Sequence, residues 1–235
     1  SRHFFLEDPR ALVTKNNGKL QLGFTAVLPQ KQGNLVPFPA ILELPLNNWS
    51  APLPPEQIRV LTEMGPGKNI TPLSENMWMF RKEGNTHNQT LTVVRIEDTR
   101  IETVKEIDFT AYSFNWAKWR IGTTFAPVLL DSVKGILFIH GITQTKAGYY
   151  RYSLGRAVID LANYTILTID QKAFLKPEDF TAPDGSKPYQ ELHPFREVIY
   201  LCGGIVDDIG KTVSLYVNVG DTQTVEVEVT FAELT

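Results

Sequence analysis

Val213, Leu215, Val217 and Val219 fall on one side of an extended chain, with Ser214, Tyr216 and Asn218 on the other. That is the period of two of a half-buried β-strand, and a helix cannot satisfy it. Val198 to Val206 and Val225 to Phe231 flank this segment through Asp207-Asp208-Ile209-Gly210 and Gly220-Asp221-Thr222-Gln223, which predicts a three-stranded meander. Earlier, Lys15-Asn16-Asn17-Gly18 joins Ala11 to Thr14 with Lys19 to Val27. Asp131-Ser132-Val133-Lys134-Gly135 likewise joins Leu129 to Leu130 with Ile136 to Ile142. Asn, Asp and Gly tolerate the turn conformations these hairpins need. With hardly any sustained helical period, the chain reads as all-β.

A chain of 235 residues is long enough for one large core, so a single domain over residues 1–235 is expected. Two proline-rich stretches, Leu35 to Pro55 and Pro177 to Pro194, carry no helical pattern and are long for hairpin loops. They are expected to cross between sheets or to rim a cleft. Short meanders joined by long crossovers favour a β-propeller, with a two-sheet sandwich as the runner-up.

Lys and Arg total 23 against 26 Asp and Glu, a balance that points away from nucleic acid and from a polybasic membrane patch. No apolar run has the length of a membrane span. Cys202 is the one cysteine, so no internal disulfide framework or cysteine zinc cluster can form, which fits a reducing compartment. Four sequons, at Asn48, Asn69, Asn88 and Asn163, would suit a secreted glycoprotein, and localisation stays open between the two. His3, His87, His140 and His193 lack metal-ligand spacing. No metal or organic cofactor is expected. The phosphate-cradling loop, H-E-x-x-H and G-x-S-x-G signatures do not occur.

What remains is carboxylates, arginines and aromatics at strand ends, the mixture of a carbohydrate site. Taken in order, Leu6-Glu7-Asp8-Pro9-Arg10, Arg120-Ile121-Gly122 and Phe138-Ile139-His140-Gly141-Ile142 resemble the E-D-P-R, K-I-G and Y-H-G-V landmarks of glycoside hydrolase family 130. The series continues with Tyr152-Ser153-Leu154-Gly155-Arg156-Ala157, Val198-Ile199-Tyr200-Leu201-Cys202-Gly203 and Tyr216-Val217-Asn218-Val219-Gly220-Asp221. These are similar to the family's Y-R-L-G-x-A, V-V-F-P-C-G and Y-Y-G-A-A-D. The resemblance implies a five-bladed propeller acting on β-mannosides, by phosphorolysis to mannose 1-phosphate, by hydrolysis, or by mannosyl transfer. Inorganic phosphate is the implied co-substrate and a mannose-containing oligosaccharide the implied partner. Family members carry a longer segment ahead of E-D-P-R, so a missing N-terminal first blade, a separate N-terminal segment or an oligomer is also expected. A non-catalytic carbohydrate-binding propeller is the alternative.

Carried over residue by residue, Asp8 matches the family's proton donor. Pro9 would bias Asp8 toward extended geometry. A general acid must keep its proton near neutral pH, whereas Arg10 beside it suggests an Asp8–Arg10 ion pair capping a strand. Arg95 and Arg120 are the implied phosphate cations, and His140 and Tyr152 match residues lining the phosphate and sugar site. Asp221 matches a sugar-binding acid and Asn76, in Ser74-Glu75-Asn76-Met77-Trp78, a sugar ligand. Histidine or tyrosine on a strand is equally a packing residue, and Gly220-Asp221 an ordinary turn. Hydrolysis would need a carboxylate base, for which Glu75 and Glu191 are the candidates. Trp49, Trp78, Trp116 and Trp119 could cover sugar faces or pack between blades.

Overall fold

The computed structural model describes residues 5–14, 18–30, 33–46, 55–84, 89–98, 100–112, 114–181, 184–186, 197–207, 209–220 and 223–234. The alternating runs become antiparallel strands in four sheets, each a blade. Blade one holds β1 (Phe5–Thr14), β2 (Lys19–Pro29), β3 (Leu35–Pro45) and the short β4 (Arg59–Val60). Blade two holds β5 (Gly67–Ser74), β6 (Met77–Lys82), β7 (Thr90–Glu97) and β8 (Arg100–Asp108). In blade three, β9 (Arg120–Thr123) and β10 (Val128–Leu129) both pair with β11 (Lys134–Gln144), which is followed by β12 (Tyr150–Asp160) and β13 (Thr165–Ile169). Blade four is the meander β14 (Ile199–Asp207), β15 (Thr212–Val219) and β16 (Gln223–Thr230).

The arrangement is a β-propeller, and the expectation of five blades is corrected: the described strands fill four. The ring runs from β1 to β5 to β9, through β12 to β14, and β14 touches β1 again. The predicted meander holds as read. Val213, Leu215, Val217 and Val219 are fully buried against Phe125, Val128 and Phe138 of blade three, each contributing roughly 1.5–3 kcal/mol.

Leu35 to Pro55 departs from expectation, because its first eleven residues are a strand. Pro37 and Pro39 are tolerated there since β3 pairs in full only with β2. On its other side β4 reaches no further than Ala40 and Ile41, so the proline nitrogens sit along an edge, where no donor is required. Pro177–Phe180 forms a short 3₁₀ turn. Among the described residues no helix is long and apolar enough to cross a membrane.

Neighbouring blades share their cores. Ile41 and Leu61 of blade one pack with Ile70, Trp78 and Phe80 of blade two. Met79 and Val93 pack with Ile121, Leu137 and Ile139 across blades two and three. Trp116 is wedged over blade three where Gly141 and Gly155 leave room: a Cβ would lie 2.5 Å from the indole at the first and 2.2 Å at the second. Trp78 and Trp116 are thus packing residues, and Trp49 lies outside the described residues.

Candidate functional site

The strand ends that face one another across the ring enclose a cleft of about 730 Å³. Blade one supplies Asp8, blade two Asn69 and Arg81, blade three Arg120, His140 and Tyr152, and blade four Tyr200 and Asn218.

Asp8 enters through an irregularity. The β1–β2 register breaks between Glu7 and Arg10, and Asp8 adopts φ 54°. The extended geometry expected from Pro9 is therefore corrected: the bulge overrides the local proline preference, and aspartate is among the few residues that enter the left-handed region readily. Arg10, only 2% exposed, donates from Nη1 to the Asp8 backbone carbonyl at 2.6 Å, and its guanidinium lies 5.6 Å from the Tyr200 ring centre. Burial draws its pKa down to about 10. The negative charge of Asp8 opposes that shift and the positive charge of Arg81 adds to it.

Arg81 is the penultimate residue of β6 and is 4% exposed. It donates to the Ile121 carbonyl at 3.0 Å and pairs with Glu83 at 2.6 Å. Glu83 also faces Arg120 at 3.6 Å, so one carboxylate holds two guanidiniums from adjacent blades. Arg120 lies over the Trp119 ring, which stacks on Tyr150 at 4.5 Å.

His140 sits mid-strand in β11 opposite Gly122 and Leu154. A Cβ at Gly122 would stand 2.4 Å from the imidazole Cε1 and 2.6 Å from Asn69 Oδ1, so the bare backbone makes room for both groups. Burial first, and then Arg81 and Arg10, hold the His140 pKa well below 6.5. The ring is neutral at physiological pH, flanked by Tyr200 at 5.1 Å and Tyr152 at 6.0 Å.

Asn69 adopts φ 61° and is 3% exposed. Its carbonyl accepts from Thr123 Oγ1 at 2.6 Å, and its Nδ2 donates to the Tyr200 hydroxyl at 3.4 Å. Among the described residues, Arg10 Nε and Nη2, Arg81 Nε, Asn69 Oδ1, His140 Nδ1 and Asn218 Oδ1 are buried without a hydrogen-bond partner. Native interiors leave few such atoms; Gln21 Oε1, Thr25 Oγ1 and Glu197 Oε2 are the others, and the four on Asn69, Arg81, His140 and Asn218 belong to residues that line the cleft, a polar binding floor.

Of the residues singled out in the sequence, Asp8, Arg120, His140 and Tyr152 converge here. Arg95 and Asn76 do not. Asn76 lies in the β5–β6 turn, at the opposite end of β5 from Asn69. Arg95 pairs with Met77 beside that turn and faces Glu102 at 3.4 Å on the surface. Glu75 shares the turn, and Asp221 and Glu191 lie outside the described residues. Trp119 lines the cleft. Asn69 and Arg81 lie in none of the family motifs singled out in the sequence, and Tyr200 and Asn218 stand inside such motifs without having been named as site residues. Asn69 stood out only as a sequon, a role its burial rules out in the folded chain; Asn163, by contrast, lies in an exposed turn.

No protein-family model matches the sequence, and no curated protein is similar to it at a significant level. Solved structures are similar. A GDP-mannose-dependent mannosyltransferase from Leishmania mexicana, MPT-1, superposes with a TM-score of 0.62 at 17% identity, over 95% of this chain and 68% of that one. A putative glycosidase from Bacteroides thetaiotaomicron gives 0.61 at 13%, over 95% and 66%. A structure described with the GH130 mannoside phosphorylases, as a family that contains hydrolases targeting β-1,2 mannosidic linkages in Candida mannan, gives 0.58 at 12%, over 96% and 65%. The chain spans about two thirds of the length of these structures. The fold is thus a propeller of the kind found among GH130 mannoside-acting proteins and related mannosyltransferases.

Proposed function

We propose that the chain is a carbohydrate-active enzyme of β-mannosides that uses inorganic phosphate and releases mannose 1-phosphate with inversion. The observation that carries this reading is the meeting of one carboxylate from a β-bulge, Asp8, with Arg81, Arg120 and neutral His140 in one cleft. In phosphorolysis the nucleophile is phosphate itself, so the protein needs one acid and a cationic, hydrogen-bonding cradle. Asp8 protonates the glycosidic oxygen as the bond to C1 breaks, and phosphate attacks C1 from the opposite face. Arg81 and Arg120 replace Arg95 as the preferred phosphate cations, because both line the cleft.

The test is mannose 1-phosphate release from β-mannobiose and phosphate, followed by phosphorus NMR and normalised to folded protein. Asp8→Asn keeps size and φ tolerance but cannot donate a carboxyl proton, so turnover is expected to fall about 10²- to 10⁴-fold while binding persists. Comparable rates in both proteins overturn the assignment. If the wild type binds sugar but releases nothing, the chain is a carbohydrate-binding propeller.

A further inference from the structure

Arg10 is buried behind the cleft and is not among the residues that wall it. Its Nε and Nη2 have no hydrogen-bond partner among the described residues. A buried charge so poorly satisfied is a weak source of stability, and an apolar side chain of similar volume would usually pack as well or better. The reason for an arginine here lies in what its remaining nitrogen holds.

β1 pairs with β2 at Glu7–Thr25 and again at Arg10–Gly23, so Asp8 and Pro9 together stand against Phe24 alone. Such a bulge interrupts the ladder and re-aims a side chain, and here it is Asp8 that reaches the cleft. Pro9 brings no N–H to the ladder. Arg10 Nη1 donates to the Asp8 carbonyl at 2.6 Å and so closes a loop around Pro9. Neither of the other two nitrogens reaches the Asp8 carboxylate. The arginine therefore fastens the backbone and leaves the acid's oxygens to the cleft. The same guanidinium lies 5.6 Å from the Tyr200 ring centre, and the Tyr200 hydroxyl accepts from Asn69 Nδ2 at 3.4 Å. The bulge of blade one is thereby tied to blade four and, through Tyr200, to blade two.

We propose that Arg10 is a positioning residue for proton transfer: held between the Asp8 carbonyl and the Tyr200 ring, it fixes the bulge so that the Asp8 carboxyl meets the glycosidic oxygen. This role rests on the reading of Asp8 as the acid. Asp8 gives its proton to the glycosidic oxygen as the bond to C1 breaks, while Arg10 touches no substrate and neither gains nor loses a proton. An acid misplaced by about 1 Å can cost about 10²-fold in rate. Lysine can replace the arginine only in part, because its ammonium can donate to the carbonyl but lacks the planar fork that stacks on a ring.

Two leaving groups separate positioning from mere structure. General-acid help matters for a departing sugar alkoxide and hardly at all for 4-nitrophenolate, which leaves without a proton. Turnover of β-mannobiose and of 4-nitrophenyl β-mannoside with inorganic phosphate is measured for wild type, Asp8→Asn, Arg10→Met and Arg10→Lys, each normalised to folded protein. Arg10→Met is expected to lose about 10²-fold in kcat on β-mannobiose, with KM little changed and the 4-nitrophenyl substrate nearly unaffected. Arg10→Lys should recover part of that loss. A loss shared equally by both substrates, or full β-mannobiose turnover in Arg10→Met, overturns the proposal. If Arg10→Met does not fold, Arg10→Lys decides by the same comparison, and either a shared loss or no loss overturns it. Mannose in place of mannose 1-phosphate would sink the phosphate reading and leave Arg10 to be decided by the difference between substrates. No turnover by the wild type, or β-mannobiose turnover that Asp8→Asn leaves intact, removes the acid and overturns the role of Arg10 with it.

Discussion

Gly122 has no side chain, and two polar groups of the cleft depend on that. A methyl group there would press on His140 and Asn69 at once, and both are anchored in packed strands. Gly122→Ala is expected to cost about 1–3 kcal/mol, the usual penalty of overpacking, read as a lower urea midpoint with an unchanged slope. His140 gives the chain an acid-side sensitivity. Its folded-state pKa lies well below 6.5, so as pH falls through 6.5 the unfolded chain binds a proton that the native chain refuses. The contribution is fully present above that pH and is lost toward acid, with a limiting slope of about 1.4 kcal/mol per pH unit. His140→Gln should flatten the stability curve between about pH 6.5 and 5, measured by urea unfolding across that range. An unchanged slope would mean that the native imidazole takes up its proton over the same pH range as the unfolded one.

At the scale of strands, blades two and three are joined by polar contacts as well as by packing. Thr71 and Thr123 share a hydrogen bond of 2.7 Å between their hydroxyls, and Thr123 also reaches the Asn69 carbonyl. Both threonines are buried. Thr123→Val keeps the shape and removes two hydrogen bonds, leaving only the longer one from the Thr71 hydroxyl to the Asn69 carbonyl at 3.3 Å, so a loss of about 1–3 kcal/mol is expected, together with weaker phosphate stabilisation as Asn69 loosens. The hairpins and the final meander were legible because turn residues and alternation are local properties. β3 was not, because a proline-rich segment reveals its strand character only when its unpaired side is known. Arg95 lies on β7, and which end of that strand meets the cleft depends on how the blade is threaded into the ring. Asp8 was picked out through its motif, and it lines the cleft, but its backbone conformation was not legible. Arg81 was invisible for the opposite reason: its chemistry comes from burial beside Ile121, and no motif announces it.

Across the whole molecule, apolar clusters couple blade one to two, two to three, and three to four. Blade four returns to blade one through β14 and β1, where Phe5, Leu6 and Val13 remain exposed. Stability should follow this gradient. In hydrogen exchange, β6 and β11 are expected to be the slowest and β1 and β16 the fastest, because local opening is cheapest where little apolar surface is buried. Uniform protection around the ring would contradict that order. The wedge of Trp116 between Gly141 and Gly155 carries a historical consequence. No single change at either glycine can be inherited without strain while the indole stands, and shrinking the indole first opens a void that only a larger neighbour can fill. Descendants of this chain can therefore alter positions 116 and 155 only together, and a lineage that has lost Trp116 should betray it by a side chain at 155, whereas Gly141 stays held by the Ala117 Cβ, 2.3 Å from where its own would stand.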